Sequence, residues 1–564
     1  MFVVYVVVIV VTARHHEMFR DEVRALSIAR EGDSFLAMVR NLHEGHPVLW
    51  YLLLRAAYNV FGSPLVLPVL SGIIAAAAVA LMLRYSPLAP GQKALLSFGV
   101  FFIYEYSVMS RNYGLGVLIL FIMAATYSWR FAHPIRWGLL LALLANTSLH
   151  AAVLMLALLA AWMWESVSSR PTSSGVPERS ITRPGVLVGA AIAIAGLIVC
   201  AIVVRPEAGT NAAQRASSMP TMAKGLTASV LNPGAAFGDQ LMPIPSGVWF
   251  GVSSHSIAVV ATNVFFLLVA MGFWRRWPLL IAYIASLTGL GVIFRVGLPG
   301  ELRHVGLMFM MIVFLYWRAL IDSAHAKKGQ PDLRSGHLFY TLTVPLTLVM
   351  VLHVALGVRK VSVDIQYPLS SNKAFGTFLR QPYYERAILI GEPDNLLESL
   401  PYYAPNRLYY PHRRSFGTHA TLSKSLLGSL SLFQLLSIAD SLRTATGDPV
   451  LIALDPRVEA NDSGEVVGGK AKRFTWTPAE RAIFFARTRR IARFLDSIDE
   501  RYSVYEVLPA STEQPKSEDV ASQLVWRLWV RCLMLSRRPR AAFAGSAHAL
   551  PAVLMGREGC AIRV

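Results

Sequence analysis

The chain has 564 residues, of which 54% are hydrophobic and only 15% charged, with a formal charge of +19 and three cysteines. Soluble domains carry about 25% charged residues, so this composition excludes an ordinary soluble fold and indicates a polytopic membrane protein. A basic balance on this scale fits nucleic acid only when it lies on the face of a soluble domain. Here Arg and Lys sit between apolar runs, where topology and anionic headgroups explain them. Cys200, Cys532 and Cys560 lie too far apart to form a metal motif or a disulfide framework.

The first apolar run, residues 2–12, is shorter than the roughly 20 residues of a usual span, so it borrows flanking residues or begins upstream. Thr12-Ala13 resembles a signal-peptidase site, but no basic region precedes the run, and it is read as a span. The acidic pair Asp21-Glu22 follows, then an Ala/Ile/Arg-rich amphipathic segment and His46-Pro47-Val48-Leu49-Trp50-Tyr51. Further runs at about 65–83, 94–109, 112–128, 137–149, 151–164, 185–204, 256–273, 278–294, 304–320 and 338–358 bring the expected total to about 11 spans. Residues 48–61, with Arg55 in the middle, are short for a span and read as interfacial or re-entrant. With 48–61 not crossing and the N-terminus cytoplasmic, Arg84/Lys93, Arg130/Arg136, Arg170/Arg179/Arg183, Arg275/Arg276 and Arg318/Lys327/Lys328/Arg334 all fall on the cytoplasmic side. Asp21, Glu22, Arg111, residues 205–254, Arg295 to His304 and everything after 358 fall outside.

Residues 205–254 read as a long loop with turn signals at Asn232-Pro233-Gly234 and Pro243-Ile244-Pro245. Beyond 358 the composition changes. Residues 387–391, 408–410 and 450–454 read as buried strands, 421–444 as an amphipathic helix and 457–472 as a loop. The expected organisation is an all-α polytopic domain over 1–358 with a first extracytoplasmic loop at 13–64, a small extracytoplasmic α/β domain over 359–510, and a poorly ordered tail at 511–564.

Charged residues at a membrane edge are costly unless water or a partner reaches them, which makes Asp21 and Glu22 candidate functional groups. As neighbours on a helix they point about 100° apart, so one acts and the other supports it. The plain structural alternative is a helix cap at Asp21 with Arg24 as its ion-pair partner. His15-His16-Glu17 holds adjacent histidines that diverge on a helix, with no third ligand at a fixed spacing. No cofactor is expected, and nothing in the spacing supports a divalent cation at Asp21. Tyr402-Tyr403 and Tyr409-Tyr410 read as domain-core or interface aromatics.

Phe19-Arg20-Asp21-Glu22, followed by His46-Pro47-Val48-Leu49-Trp50-Tyr51 and by Ser110-Arg111-Asn112-Tyr113, resembles the GT-C glycosyltransferases. The likeness is closest to the protein O-mannosyltransferase and lipid A aminoarabinose transferase group, with Val48 in place of that group's second proline. It covers the first 150 residues in motif and the remainder in hydropathy only. The resemblance implies a plasma (inner) membrane enzyme of the cell envelope, with a polyprenyl-phosphate-linked sugar as donor and a lipid, glycan or protein as extracytoplasmic acceptor. It implies Asp21 as base, with Glu22 in support. His46, Arg111, Tyr113, Arg295, Arg303 and His304 are the expected substrate-binding residues, the arginines because a guanidinium can bind two phosphate oxygens. The alternative for each arginine is a side chain that snorkels to the headgroups. The competing class of function is a non-catalytic lipid-linked glycan transporter or envelope polysaccharide assembly protein, whose charges would be scattered through several mid-spans.

Overall fold

A computed structural model describes residues 1–40, 42, 45–168, 183–205, 219–249, 252–297, 300–326, 337–420, 428–468 and 472–509. The expected tail at 511–564, Cys532, Cys560 and the basic residues Arg170, Arg179, Lys327, Lys328 and Arg334 lie outside the described residues.

The fold is mostly helical. Among the described residues, seven helices are long and apolar enough to cross a membrane: Val66–Tyr85, Leu149–Ser168, Pro184–Val204, Ser254–Phe273, Trp277–Val296, Leu302–Ser323 and Phe339–Gln366. The other four expected spans form shorter elements. Residues 2–12 lie in α1 (Phe2–His15), which breaks by 91° into α2 (Arg20–Ala29). Residues 94–109 become a helix that stops at Phe98 and a π turn over Phe101–Glu105, while Tyr113–Ala125 and Pro134–Ala145 have 13 and 12 residues. Apolar runs in this protein are interrupted more often than their hydropathy reveals.

Residues 49–61 form α3 (Leu49–Phe61), 13 residues or roughly 20 Å of helix against a hydrocarbon core of about 30 Å. The helix ends at Gly62, whose φ of +62° suits a residue without a Cβ. Arg55 explains its own presence in this apolar run. Its guanidinium donates to the carbonyls of Ala29 (3.3 Å), Glu31 (2.7 Å) and Gly32 (2.8 Å), which closes the C-terminal end of α2. The amphipathic segment is thereby held by the helix that follows it.

The expected loop at 205–254 is largely structured. It contains the helices Met219–Leu231 and Gly234–Leu241 and a two-residue hairpin, Val248–Trp249 with Val252–Ser253, while residues 206–218 and 250–251 lie outside the described residues. Its small residues are packing surfaces rather than turn residues: a Cβ on Gly234 would meet the Val259 carbonyl at 2.4 Å.

After Gln366, where the last long helix ends, the chain builds a six-stranded sheet. Its strands are β1 (Ile388–Glu392), β2 (Leu408–Tyr410), β3 (Ser415–Gly417), β4 (Val450–Leu454), β5 (Thr488–Phe494) and β6 (Tyr502–Val507) in the order β5-β6-β4-β1-β2-β3. Central β1 is parallel to β4 and β2, and the outer pairings are antiparallel. The three strands read from sequence are β1, β2 and β4. Ile388, Ile390 and Ile452 pack on one face with Leu435 and Phe484, while Leu389, Leu451 and Val504 pack on the other with Phe375. The helix expected over 421–444 is Leu432–Thr446, opened by a Ser431/Gln434 capping box, and residues 421–427 lie outside the described residues. The expected loop at 457–472 holds a helical turn, Arg457–Ala460, and a strand, Gly464–Val467, paired with Arg473–Trp476; residues 469–471 lie outside the description. Gly and Glu masked that strand, which is anchored by Val466 opposite Phe474.

The sheet region packs directly on the α1–α2 junction. Tyr403 Oη accepts from the Met18 amide at 2.6 Å, Arg20 pairs with Asp499 at 2.8 Å, its amide meets Glu500 at 3.2 Å, and Arg24 pairs with Glu398. The sheet and Asp21 therefore share one end of the helical domain, whereas Arg130–Glu165 and Arg276–Ser323 contacts lie at the other.

Single cysteines placed at exposed Asp33 and Glu385 in a cysteine-free background should be labelled by an impermeant maleimide from the same face of sealed vesicles, and one at His133 from the opposite face. Arg55→Met keeps the apolar stem but leaves the α2 carbonyls unpaired, and is expected to cost about 2–4 kcal/mol in unfolding measurements.

Candidate functional site

The first turn of α2 divides the acidic pair. Glu22 points inward, and its side chain is fully buried. One oxygen accepts from the Ser110 amide at 2.6 Å; the other accepts from the Phe19 amide at 2.9 Å and meets His16 Nε2 at 3.0 Å. The opposite nitrogen of His16 meets Asp364 at 2.9 Å, and Tyr104 Oη donates to the second oxygen of Asp364 at 3.1 Å. Burial alone would lower the His16 pKa, but the two carboxylates outweigh it and hold the imidazole protonated. Both ring nitrogens then donate, one to each carboxylate. Glu22, expected to support catalysis, is instead enclosed in a buried network that fixes the bend between α1 and α2.

Asp21 points the other way. Its carboxylate lies 3.1 Å from Arg111 and 3.3 Å from Arg303, and Arg111 also donates to the Asp21 carbonyl at 2.8 Å. Arg111 comes from the tight connection ahead of Tyr113–Ala125, and Arg303 from the first turn of Leu302–Ala326. Burial pushes the Asp21 carboxyl up, but Arg111, Arg303 and Arg20 outweigh it and hold the group below the usual carboxylate range. It is ionised at neutral pH and is a weak base in this state.

Beside this clamp lies a cavity of about 180 Å³ lined by Asp21, Arg24, Ala25, His46, Trp50, Tyr51, Arg111 and Asn112. Drug-sized sites occupy roughly 300–1,000 Å³, so this one suits a single headgroup. His46 is carried on the connection into α3, which is tied down where the Leu49 amide donates to the Asn146 carbonyl at 3.3 Å. Burial, then Arg111, pushes the His46 pKa down to about 3, so the ring is neutral.

Behind the arginines, Tyr113 Oη meets His304 Nε2 at 2.8 Å, while His304 Nδ1 accepts from the Glu301 amide at 3.2 Å. His304 stacks on His150 with centroids 4.4 Å apart and planes within 13°. Asp21, His46, Arg111, Tyr113, Arg303 and His304 thus come together. Arg295 does not join them: it donates to the Asn232 carbonyl, on the connection between the two helices of the former loop. Sequence reasoning missed roles for His16, Tyr104, His150 and Asp364. His16 and Asp364 lie 348 positions apart, and no local spacing links them. Among the described residues, no group of three or more His, Cys, Asp or Glu is arranged to hold a metal ion.

Glu22→Ala leaves a buried imidazolium and two amides without their acceptor. Thermal and chemical unfolding in detergent should show a loss of about 3–5 kcal/mol, the range for breaking a buried pair from one side. Asp21→Asn, in a half-open site, should show a markedly smaller loss.

Comparison of the sequence with known protein families and with curated proteins finds no match.

Proposed function

We propose that the chain is an integral-membrane glycosyltransferase of GT-C type, which moves a sugar from a polyprenyl-phosphate donor to an extracytoplasmic acceptor with inversion. The observation that carries this reading is the Asp21 carboxylate held between Arg111 and Arg303 at the wall of a headgroup-sized cavity. Attack at an anomeric carbon drives charge onto a departing phosphate, and preorganised cations are the most effective way to stabilise it. In the unliganded site the Asp21 carboxylate occupies the anion position between the two guanidiniums. A donor phosphate competes for the same groups, and Asp21, released in part, regains basicity where the nucleophile arrives.

Orientation follows from the basic connections. Arg84, Lys93, Arg130, Arg136, Arg275 and Arg276 belong to the end of the helices away from Asp21, which the positive-inside rule assigns to the cytoplasm. On this reading the cavity and the sheet region face outward across the plasma membrane, where a glycan, lipid or protein acceptor is met. Charged groups gather at the two ends of the helical domain, which weighs against a charged conduction path through the mid-spans and hence against a transporter.

Sugar transfer from synthetic polyprenyl-phosphate donors by detergent-purified protein tests the reading. Arg111→Ala should cost on the order of 100- to 1,000-fold in rate, about 3 kcal/mol, with Arg111→Lys recovering part of it. Asp21→Asn should abolish transfer while donor affinity persists, because it removes the carboxylate and leaves both arginines free for phosphate. Full turnover by Asp21→Asn would make Asp21 a helix cap and remove the centre of this mechanism, since Asn caps about as well as Asp.

A further inference from the structure

Two groups at the cavity have lone pairs that face the question of where the nucleophile's proton goes. The first, Asp21, directs its carboxylate at Arg111 and Arg303. The second is His46. It lines the same cavity, is partly exposed, and among the described residues no hydrogen bond engages either of its ring nitrogens. The contrast with the other histidines nearby is informative. His16 is committed on both nitrogens, and His304 is committed to Tyr113 and to the Glu301 amide. An imidazole left unbonded at a polar cavity, while its neighbours are satisfied, has a lone pair available to a ligand.

We propose that His46 is the proton acceptor of the transfer reaction and that Asp21 acts through the arginines and through the charge it presents to His46. This rests on the transferase reading. In the step, the acceptor oxygen forms a bond to the anomeric carbon as the bond from that carbon to the phosphate oxygen breaks. The bonding pair leaves with the phosphate, which goes from monoanionic diester to dianionic monoester between Arg111 and Arg303. The hydroxyl proton passes to a ring nitrogen of His46, and Asp21 stabilises the imidazolium.

The charged and titratable groups acting on His46 are Asp21 from α2, Arg111 from the connection before Tyr113, Arg303 from the first turn of its helix, and His150; Arg24 shares the cavity wall. With the site empty, burial and the arginines disfavour a proton on His46. A phosphate that neutralises Arg111 and Arg303 reverses that balance and leaves Asp21 as the nearest uncompensated charge. The base therefore strengthens when the donor is in place, which couples proton removal to an occupied site.

The experiment compares wild type, His46→Gln and His46→Ala for sugar release and transfer from synthetic farnesyl-phosphate mannose, glucose and arabinose, with folding checked by thermal unfolding. The expected result is a loss of about 100-fold or more in turnover for both variants with donor affinity kept, partial rescue of His46→Ala by added imidazole, and loss of the acidic limb of the wild-type pH–rate profile. Turnover by His46→Gln within a few-fold of wild type, or a defect that lies in donor affinity and resists imidazole, overturns the proposal. Failure of both variants to fold also overturns it, by making His46 structural. If wild type turns over none of the three donors while remaining folded, the transferase reading itself fails, and this role falls with it.

Discussion

The fold around the site depends on one buried charge arrangement: an imidazolium between two carboxylates. His16 sits where α1 gives way to α2, Glu22 in the first turn of α2, and Asp364 near the end of the last long helix. Removing three ionised groups from water is costly, and the arrangement is stable only because each donor and acceptor is engaged. The Ser110 and Phe19 amides complete the Glu22 shell, and Tyr104 adds a bond to Asp364. The network also specifies geometry. It turns the chain through 91° and sets Asp21 on the opposite side of α2, toward the cavity.

The electrostatics of the cavity then follow from proximity. Three elements distant in sequence, the first turn of α2, the turn at Arg111 and the start of the helix bearing Arg303, converge on one carboxylate. Each arginine is partly desolvated and each has Asp21 as a counter-charge, so the cluster is stable without a ligand yet presents an anion site. A site of this kind is preorganised for phosphate because the arginines are already aimed at a shared point and need no reorganisation when an anion arrives.

Much of this was legible in the sequence, for definite reasons. Asp21, Arg111 and His46 stood out because charge beside an apolar run is expensive and therefore informative. The central strands were legible because Ile388 to Ile390 and Val450 to Leu454 are short, continuous apolar runs bounded by polar residues. The role of Glu22 was not legible: adjacency showed that the two carboxylates diverge, but only the positions of His16 and Asp364 decide which one faces inward. Arg295 looked equivalent to Arg303 because both flank the same short connection, yet they belong to different helices and Arg295 is drawn to Asn232. The length of the spans was misread where Gly99 and the π turn after it interrupt an apolar run that hydropathy treats as continuous.

The first turn of α2 has every direction in use. Arg20 and Arg24, four residues apart on one stripe, hold Asp499 and Glu398 of the sheet region, Asp21 faces the cavity, and Glu22 faces the interior. A single inserted or deleted residue ahead of Arg20 would rotate this turn by about 100° and exchange all three assignments at once. The segment is thus rigid in register even where individual side chains tolerate exchange. It works as a common axle: a tilt imposed on it by the sheet region is transmitted to the carboxylate at the cavity wall, so that whatever docks on the outer domain acts mechanically on the reacting end.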